Sequence, residues 1–271
     1  MEKIVERYCE APSFLRRPMW RIWHNLISKF DKQKEVTFMN YGYVFSNEED
    51  RLDLLEKDEE NRYCINLYHR VASQENLKNK DVLEVGSGRG GGASYIKRYL
   101  KPKTYTAVDI SSTVIKFCKK KHQVEDLKFV KGQAEDLSMF ENDSFDTVIN
   151  VESARCYTNV QSFFNEVNRV LKKDGFFLFA DMIKSGEQSK VEEELTEAGF
   201  TIEKKSNINE NVVRALDLDF DRRNKLIDKL IPSFLKGGFS EFAGAKGTKR
   251  YNDFASEKME YWVYKLSLSN S

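Results

Sequence analysis

The chain has 271 residues and a formal charge of +1, with 44 basic and 43 acidic residues interspersed along its length. Such a length fits one large domain or two small ones, at about 100–200 residues each, and no Pro/Gly/Ser-rich linker divides it, so one domain is expected. Balanced charge gives no field to concentrate a polyanion, which argues against nucleic acid as a partner.

The start, MEKIVERYCE, lacks an apolar signal core, and no window reaches the ~18 apolar residues of a spanning helix. A cytoplasmic protein is the expectation. From Pro12 to Phe30, Leu15, Met19, Ile22, Trp23, Leu26, Ile27 and Phe30 recur at helical spacing among Arg16, Arg17, Arg21 and Lys29. A basic amphipathic helix of this kind either packs on the domain or makes peripheral membrane contact.

From residue 81 short β-branched or aromatic runs alternate with amphipathic stretches, the pattern of a parallel sheet covered by crossover helices. Strands are predicted at Asp81–Val85, Thr104–Asp109, Leu127–Lys131, Asp146–Val151, Phe176–Asp181 and Phe200–Ser206. Helices are predicted at Ala93–Leu100, Thr113–Lys121, Val160–Leu171 and Gln188–Ala198. Gly175 and Gly199 each follow a helix where a left-handed cap is expected.

Between Asn211 and Phe254 the rhythm breaks into helical segments, Pro232 and the glycines of LKGGFSEFAGAKG, before EYWVYKLSL resumes at Glu260. This reads as a helical cap inserted before the last strand, over the strand ends where open α/β sheets bind ligands. The expected division is an N-terminal helical region (1–75), a ligand-binding core (76–206), the cap (207–258) and the last strand with its tail (259–271). Cys9, Cys64, Cys118 and Cys156 form no CxxC pair and do not cluster with the histidines, so free thiols and no metal site are expected.

The densest signal is DVLEVGSGRGGGASYI, where a strand runs through Gly86, Gly88, Gly90 and Gly91 into a helix. Glycines here let the backbone turn sharply and approach a ligand. The run also matches a dinucleotide fingerprint, but Glu84 would repel a pyrophosphate and tolerates a ligand bearing an ammonium and a sulfonium. S-adenosyl-L-methionine has both and no phosphate. Asp109 closes the second strand at the place where an acid accepts from both ribose hydroxyls. The turn Gln133-Ala134-Glu135-Asp136 follows the third strand, where it could read an adenine edge.

At this point the chain resembles the class I S-adenosylmethionine-dependent methyltransferases, and within them the enzymes that O-methylate phthiotriol and phenolphthiotriol lipids. The likeness runs through FMNYGYVF (38–45), NRYCINLYHRVA (61–72), the glycine run, FDTVINVESARCY (145–157), EVNRVLKKDGFFLFAD (166–181) and, in the cap, NVVRALDLD and EFAGAKG. It implies an α/β, Rossmann-like fold with a mostly parallel seven-stranded sheet, helices on both faces, N-terminal helices and the inserted cap. It implies cofactor contacts at Tyr41, Glu84, Gly86, Ser87, Gly88, Asp109, Ile110, Gln133, Ala134, Glu135 and Asn150, with S-adenosyl-L-homocysteine as product. It also implies that Tyr41, Tyr43 and the cap enclose a small, lipid-like or polyketide-like acceptor.

One position departs from the family pattern. Where a histidine is usual after the fourth strand, this chain has Arg155, whose pKa above ~12 bars it from general-base work. Candidates for catalysis are therefore Glu152 and Asp181, with His24 and His69 further off, and Arg155 itself as a clamp for an anionic acceptor. Plainer readings stand beside them: Asp181 as a turn cap, Glu152 as an ion pair with Arg155, Arg155 as a surface residue, and His122 as solvated surface within KKKHQ. Tyr41, Tyr43, Phe45, Phe234, Phe239, Phe242 and Tyr251 are expected to line an apolar acceptor site. N- or C-methylation of a metabolite, or a cofactor-binding relative without turnover, are the other readings.

Overall fold

In the computed structural model, residues 26–269 are described apart from Ser28. His24 and most of the predicted helix at 12–30 lie outside them. After a short helical stretch around Ile27 and an extended strap over residues 31–45, helix α1 (Arg62–Ala72) leads into the sheet. Then follow β1 (Asp81–Val85), α2 (Gly91–Tyr99), β2 (Thr104–Asp109), α3 (Ser112–Lys121), β3 (Leu127–Lys131) and β4 (Phe145–Val151). The chain continues through α4 (Val160–Val170), β5 (Leu171–Lys184), α5 (Gln188–Glu197) and β6 (Phe200–Asn207). Four helices come next, α6 (Asn209–Leu218), α7 (Phe220–Leu230), α8 (Ser233–Phe242) and α9 (Lys249–Ala255), before β7 (Met259–Leu268).

The strands form one seven-stranded sheet in the order β3-β2-β1-β4-β5-β7-β6, with only β7 antiparallel to its neighbours. Side chains alternate across it. Val82, Ile149 and Leu178 face one apolar layer, whereas Leu83, Val148 and Phe177 face the other, so strands covered by helices on both faces read as continuous apolar runs. Strand order reverses between β1 and β4, which opens a crevice at their carboxyl ends.

Caps explain several boundaries. The Ser111 hydroxyl accepts from Val114 N–H at 3.3 Å and the Asn159 carboxamide from Ser162 N–H at 3.0 Å, each satisfying a first-turn donor. Gly199 has φ +84° and stops α5 as a left-handed residue. Gly175 does not: its φ is not positive, and it sits where an added Cβ would meet Asp146 O at 2.9 Å. The expected cap is instead a break in pairing, because β5 pairs with β4 through Leu171, skips Lys172–Gly175 and resumes at Phe176. That is why the strand starts earlier than the sequence suggests.

Candidate active site

The crevice holds a cavity of about 950 Å³, counting the solvent at its mouth. The loop after β1 supplies its floor. Gly86 N–H and Ser87 N–H both donate to Val108 O, at 2.8 and 3.0 Å, which folds the loop back over β2. Gly86 takes φ +79°, and a Cβ there would sit 2.2 Å from Ser153 Oγ, so only glycine lets the β1 and β4 loops close on each other. A Cβ on Gly92 would meet the Tyr68 ring at 1.9 Å; α1 and α2 touch through that absent side chain.

Asp109 accepts from Gly88 N–H (3.0 Å) and Ser111 N–H (2.8 Å), one on each carboxylate oxygen. Burial raises its pKa to about 6, the two N–H bonds acting against the rise. Ile110, Ala134 and Glu135 continue the same wall, and Glu135 accepts from Thr158 N–H at 2.9 Å.

Glu84 does not line the cavity. It is fully buried beneath it, accepting from Tyr68 Oη (3.0 Å) and Tyr105 Oη (2.9 Å), and burial raises it to about 7. Tyr68, which does line the cavity, stands between. Asn150 is likewise behind the wall. Its amide nitrogen lies 2.9 Å from Val85 O, 2.7 Å from Ser153 Oγ and 3.0 Å from Tyr157 Oη, binding the β1 and β4 loops together. Gln133 closes a small turn with Asp136, and Tyr41, within the strap, is buried in the main core; neither lines the cavity.

Glu152 follows β4 with φ +54°, a left-handed conformation that a glutamate seldom adopts and that signals a position fixed by its surroundings. Its Oε1 accepts from Tyr41 N–H at 3.0 Å and from Tyr261 Oη at 2.9 Å, and the side chain lines the cavity. Burial raises its pKa to about 7.

Asp181 is buried, with its pKa raised for the same reason, but does not line the cavity. It accepts from Met182 N–H (2.8 Å) and Arg155 N–H (3.2 Å), and so caps the turn that carries Arg155. The Arg155 guanidinium lies 4.0 Å from Asp181, its positive charge also acts on Glu152, and it faces a separate cleft beside Met182 and Lys249. His69 is hydrogen-bonded to Tyr95 Oη at 2.7 Å, outside the cavity. His122 is not solvated surface: Nε2 lies 2.8 Å from Arg89 O, its ring packs on Phe129, and burial lowers its pKa to about 4.

The strap over residues 37–40 roofs the cavity and is the largest contributor that the sequence reading missed. Arg89, inside the glycine run, holds it: the guanidinium pairs with buried Asp31 at 2.5 Å, bonds Val36 O and lies 3.7 Å over the Phe117 ring. Gly91 N–H adds a bond to Thr37 O at 3.1 Å. From the cap, Arg223 of α7 donates to Asn40 O (3.0 Å), Tyr41 O (3.1 Å) and Ala243 O (3.2 Å) while paired with Asp219 at 2.8 Å.

Phe38, Met39 and Asn40 also wall a second cavity of about 690 Å³ between the strap and the cap. Its lining is mostly apolar, with Leu226, Ile227, Phe239 and Phe242 opposite the strap. Of the aromatics expected around an acceptor, Phe239 and Phe242 are there. Tyr43 and Phe45 pack in the main core, Tyr251 bonds Asp217 at 2.9 Å, and Phe234 is exposed.

The first cavity fits S-adenosylmethionine. Ser87 Oγ is buried in its wall with no protein partner, and a Cβ on Gly88 would meet nothing within 4 Å, the open approach that a backbone cradle needs. Asp109 is the acid that would meet the ribose.

Residues 83–179 match the model of a methyltransferase domain. The chain is 39% identical, over 91% of its length and 90% of the relative's, to phthiotriol/phenolphthiotriol dimycocerosates methyltransferase of Mycobacterium tuberculosis. It is 38% identical to a fatty-acid O-methyltransferase of Mycolicibacterium smegmatis, covering 86% of this chain and 84% of that one. In fold it is similar to geranyl diphosphate methyltransferase solved in complex with SAM, with a TM-score of 0.60 at 13% identity, covering 86% of this chain and 99% of the other. With the cofactor cavity and these likenesses together, the chain belongs to the S-adenosylmethionine-dependent methyltransferases, in the family of the phthiotriol/phenolphthiotriol dimycocerosates methyltransferases.

Proposed function

We infer that this methyltransferase O-methylates a lipid-like acceptor whose apolar portion lies in the cavity between strap and cap. The observation that carries this reading is the shared wall: Phe38, Met39 and Asn40 line both cavities, so a chain held in one presents its head to the other. The second cavity's mostly apolar lining, with few polar groups, is that of small-molecule sites.

S-adenosylmethionine, when bound, supplies an electrophilic methyl group on a sulfonium. The protein's part is alignment, exclusion of water and custody of a proton. Ser87, Asp109, Ile110, Ala134 and Glu135 hold the cofactor, and Glu84 and Asn150 act from behind the wall by fixing Tyr68 and the β4 loop. Glu152 takes the acceptor's proton: one oxygen is pinned by Tyr41 and Tyr261, and a pKa of about 7 suits proton acceptance at neutral pH. Asp181 positions the Arg155 turn and touches no substrate. The buried thiols of Cys64, Cys118 and Cys156 accord with work in the reducing cytoplasm.

The test is methyl transfer to long-chain acids, long-chain alcohols and small amines. Turnover with long-chain oxygen nucleophiles is expected, with KM falling as the chain lengthens and Leu226→Trp raising KM for the longest by about tenfold or more. Turnover confined to amines, or indifference to chain length, would sink this reading.

A further inference from the structure

The outer rim of the apolar cavity carries a feature that methyl transfer itself does not use. Phe234, on α8 between the cavity-lining Ile231 and Phe239, is 73% exposed, more than the other large exposed apolar side chains of the described residues. Its neighbour Leu235 packs inward on Ile27 and Phe239, so the helix presents one phenyl ring outward from an otherwise buried seam.

Charge on the elements that wall this cavity is lopsided. Lys29, Lys32, Lys34, Lys225, Lys229 and Lys236 reach solvent there, against Glu35, Asp221 and Asp228. Two of the lysines are paired, Lys229 with Glu35 at 2.7 Å and Lys236 with Asp228 at 2.5 Å, which leaves the excess with Lys29, Lys32, Lys34 and Lys225. A chain whose overall charge is only +1 thus carries an excess of solvent-reaching cations on the elements that wall its apolar cavity. An exposed aromatic ring on elements that also carry unpaired lysines is a combination that binds an anionic bilayer, the ring entering the acyl boundary and the ammonium groups meeting headgroups.

We propose that the Phe234 rim, with the lysines of α7 and of residues 29–34, seats on an anionic lipid surface and admits the acceptor to the cavity directly from it. The proposal rests on the acceptor reading above only for what passes through; the seating itself is independent of it. No helix of the described residues is long and apolar enough to cross a membrane, so the contact is peripheral.

Co-sedimentation of the full chain with phosphatidylcholine vesicles, with and without phosphatidylglycerol, tests it. Binding is expected only where phosphatidylglycerol is present and is weakened by salt. Phe234→Ser, and separately Lys32→Glu with Lys225→Glu, should each weaken it by about tenfold or more, whereas Leu55→Ser, which removes an exposed leucine elsewhere, should not. Phe234→Ser should also slow methylation of a vesicle-borne acceptor while leaving a short, water-soluble one unaffected. Absence of binding to anionic vesicles, or equal binding by Phe234→Ser, overturns the proposal. So does a change in oligomeric state on Phe234→Ser without a change in vesicle binding, which would make this face a contact between copies. Failure to methylate any acceptor would count against the acceptor reading and leave the vesicle result standing.

Discussion

The two cavities share a wall but are held by different physics. The cofactor side rests on backbone: positive-φ glycines, N–H groups on Asp109, and a loop folded onto Val108 O. The second cavity, where we place the acceptor, rests on side chains that meet across long sequence distances, such as Arg223 with Asn40 and Lys229 with Glu35. Backbone constraints are written locally and tolerate few residues; side-chain packing tolerates many. The second region is therefore free to change its ligand while the first keeps its own.

The largest expected effect tests where they join. Glu152→Gln should lower kcat by about 10²- to 10⁴-fold while calorimetric affinity for S-adenosylmethionine stays near wild type. A loss of cofactor affinity instead would assign Glu152 to the cofactor side. Next, Asp109→Ala should weaken cofactor binding by about 1.5–3 kcal/mol, roughly 10- to 100-fold, with the fold retained by circular dichroism. Unchanged affinity would remove Asp109 from the site.

A pH titration sharpens the contrast further. Glu84 and Glu152 have folded pKa values of about 7 against an ordinary 4.5, so between those values the folded state binds more protons than the unfolded one. Stability of the ligand-free protein should then fall as pH rises from about 4.5 to about 7. The slope should shrink in Glu152→Gln, and a slope of opposite sign would contradict the burial of both acids. The smallest effect belongs to His122→Ala. Losing its bond to Arg89 O should cost about 1 kcal/mol in thermal unfolding. Because His122 is held neutral in the folded state, with its pKa lowered from 6.5 to about 4, only the unfolded wild-type chain takes up that proton near pH 6, so the cost should be smaller at pH 6 than at pH 8.

What was legible in the sequence follows the same divide. Strand ends at Val85, Asp109 and Lys131 are visible because β-branched runs stop at turn residues, and Gly86, Ser87, Gly88 and Asp109 reach the cavity because the loop that bears them is local. Glu84 and Asn150 lie one layer behind the cavity wall, since strand alternation turns a side chain to one face without telling what stands in between, as Tyr68 does before Glu84. The lysine neighbours of His122 suggest a solvated ring, but its burial depends on Phe129 and Arg89, which composition does not place beside it. Aromaticity alone groups Tyr43 and Phe45 with Phe239 and Phe242, and only the latter pair meet the second cavity.

The strap has a consequence for anyone who would rebuild this protein. Its 31–37 end is stitched to the glycine loop through Arg89 and Gly91, and its 40–41 end to the cap through Arg223. A foreign cap transplanted between Asn207 and Met259 would arrive without the carbonyls its own helices expect to find. Chimeras with altered acceptor range should therefore work when residues 31–45 travel with the cap, as two pieces of one module that the gene keeps far apart.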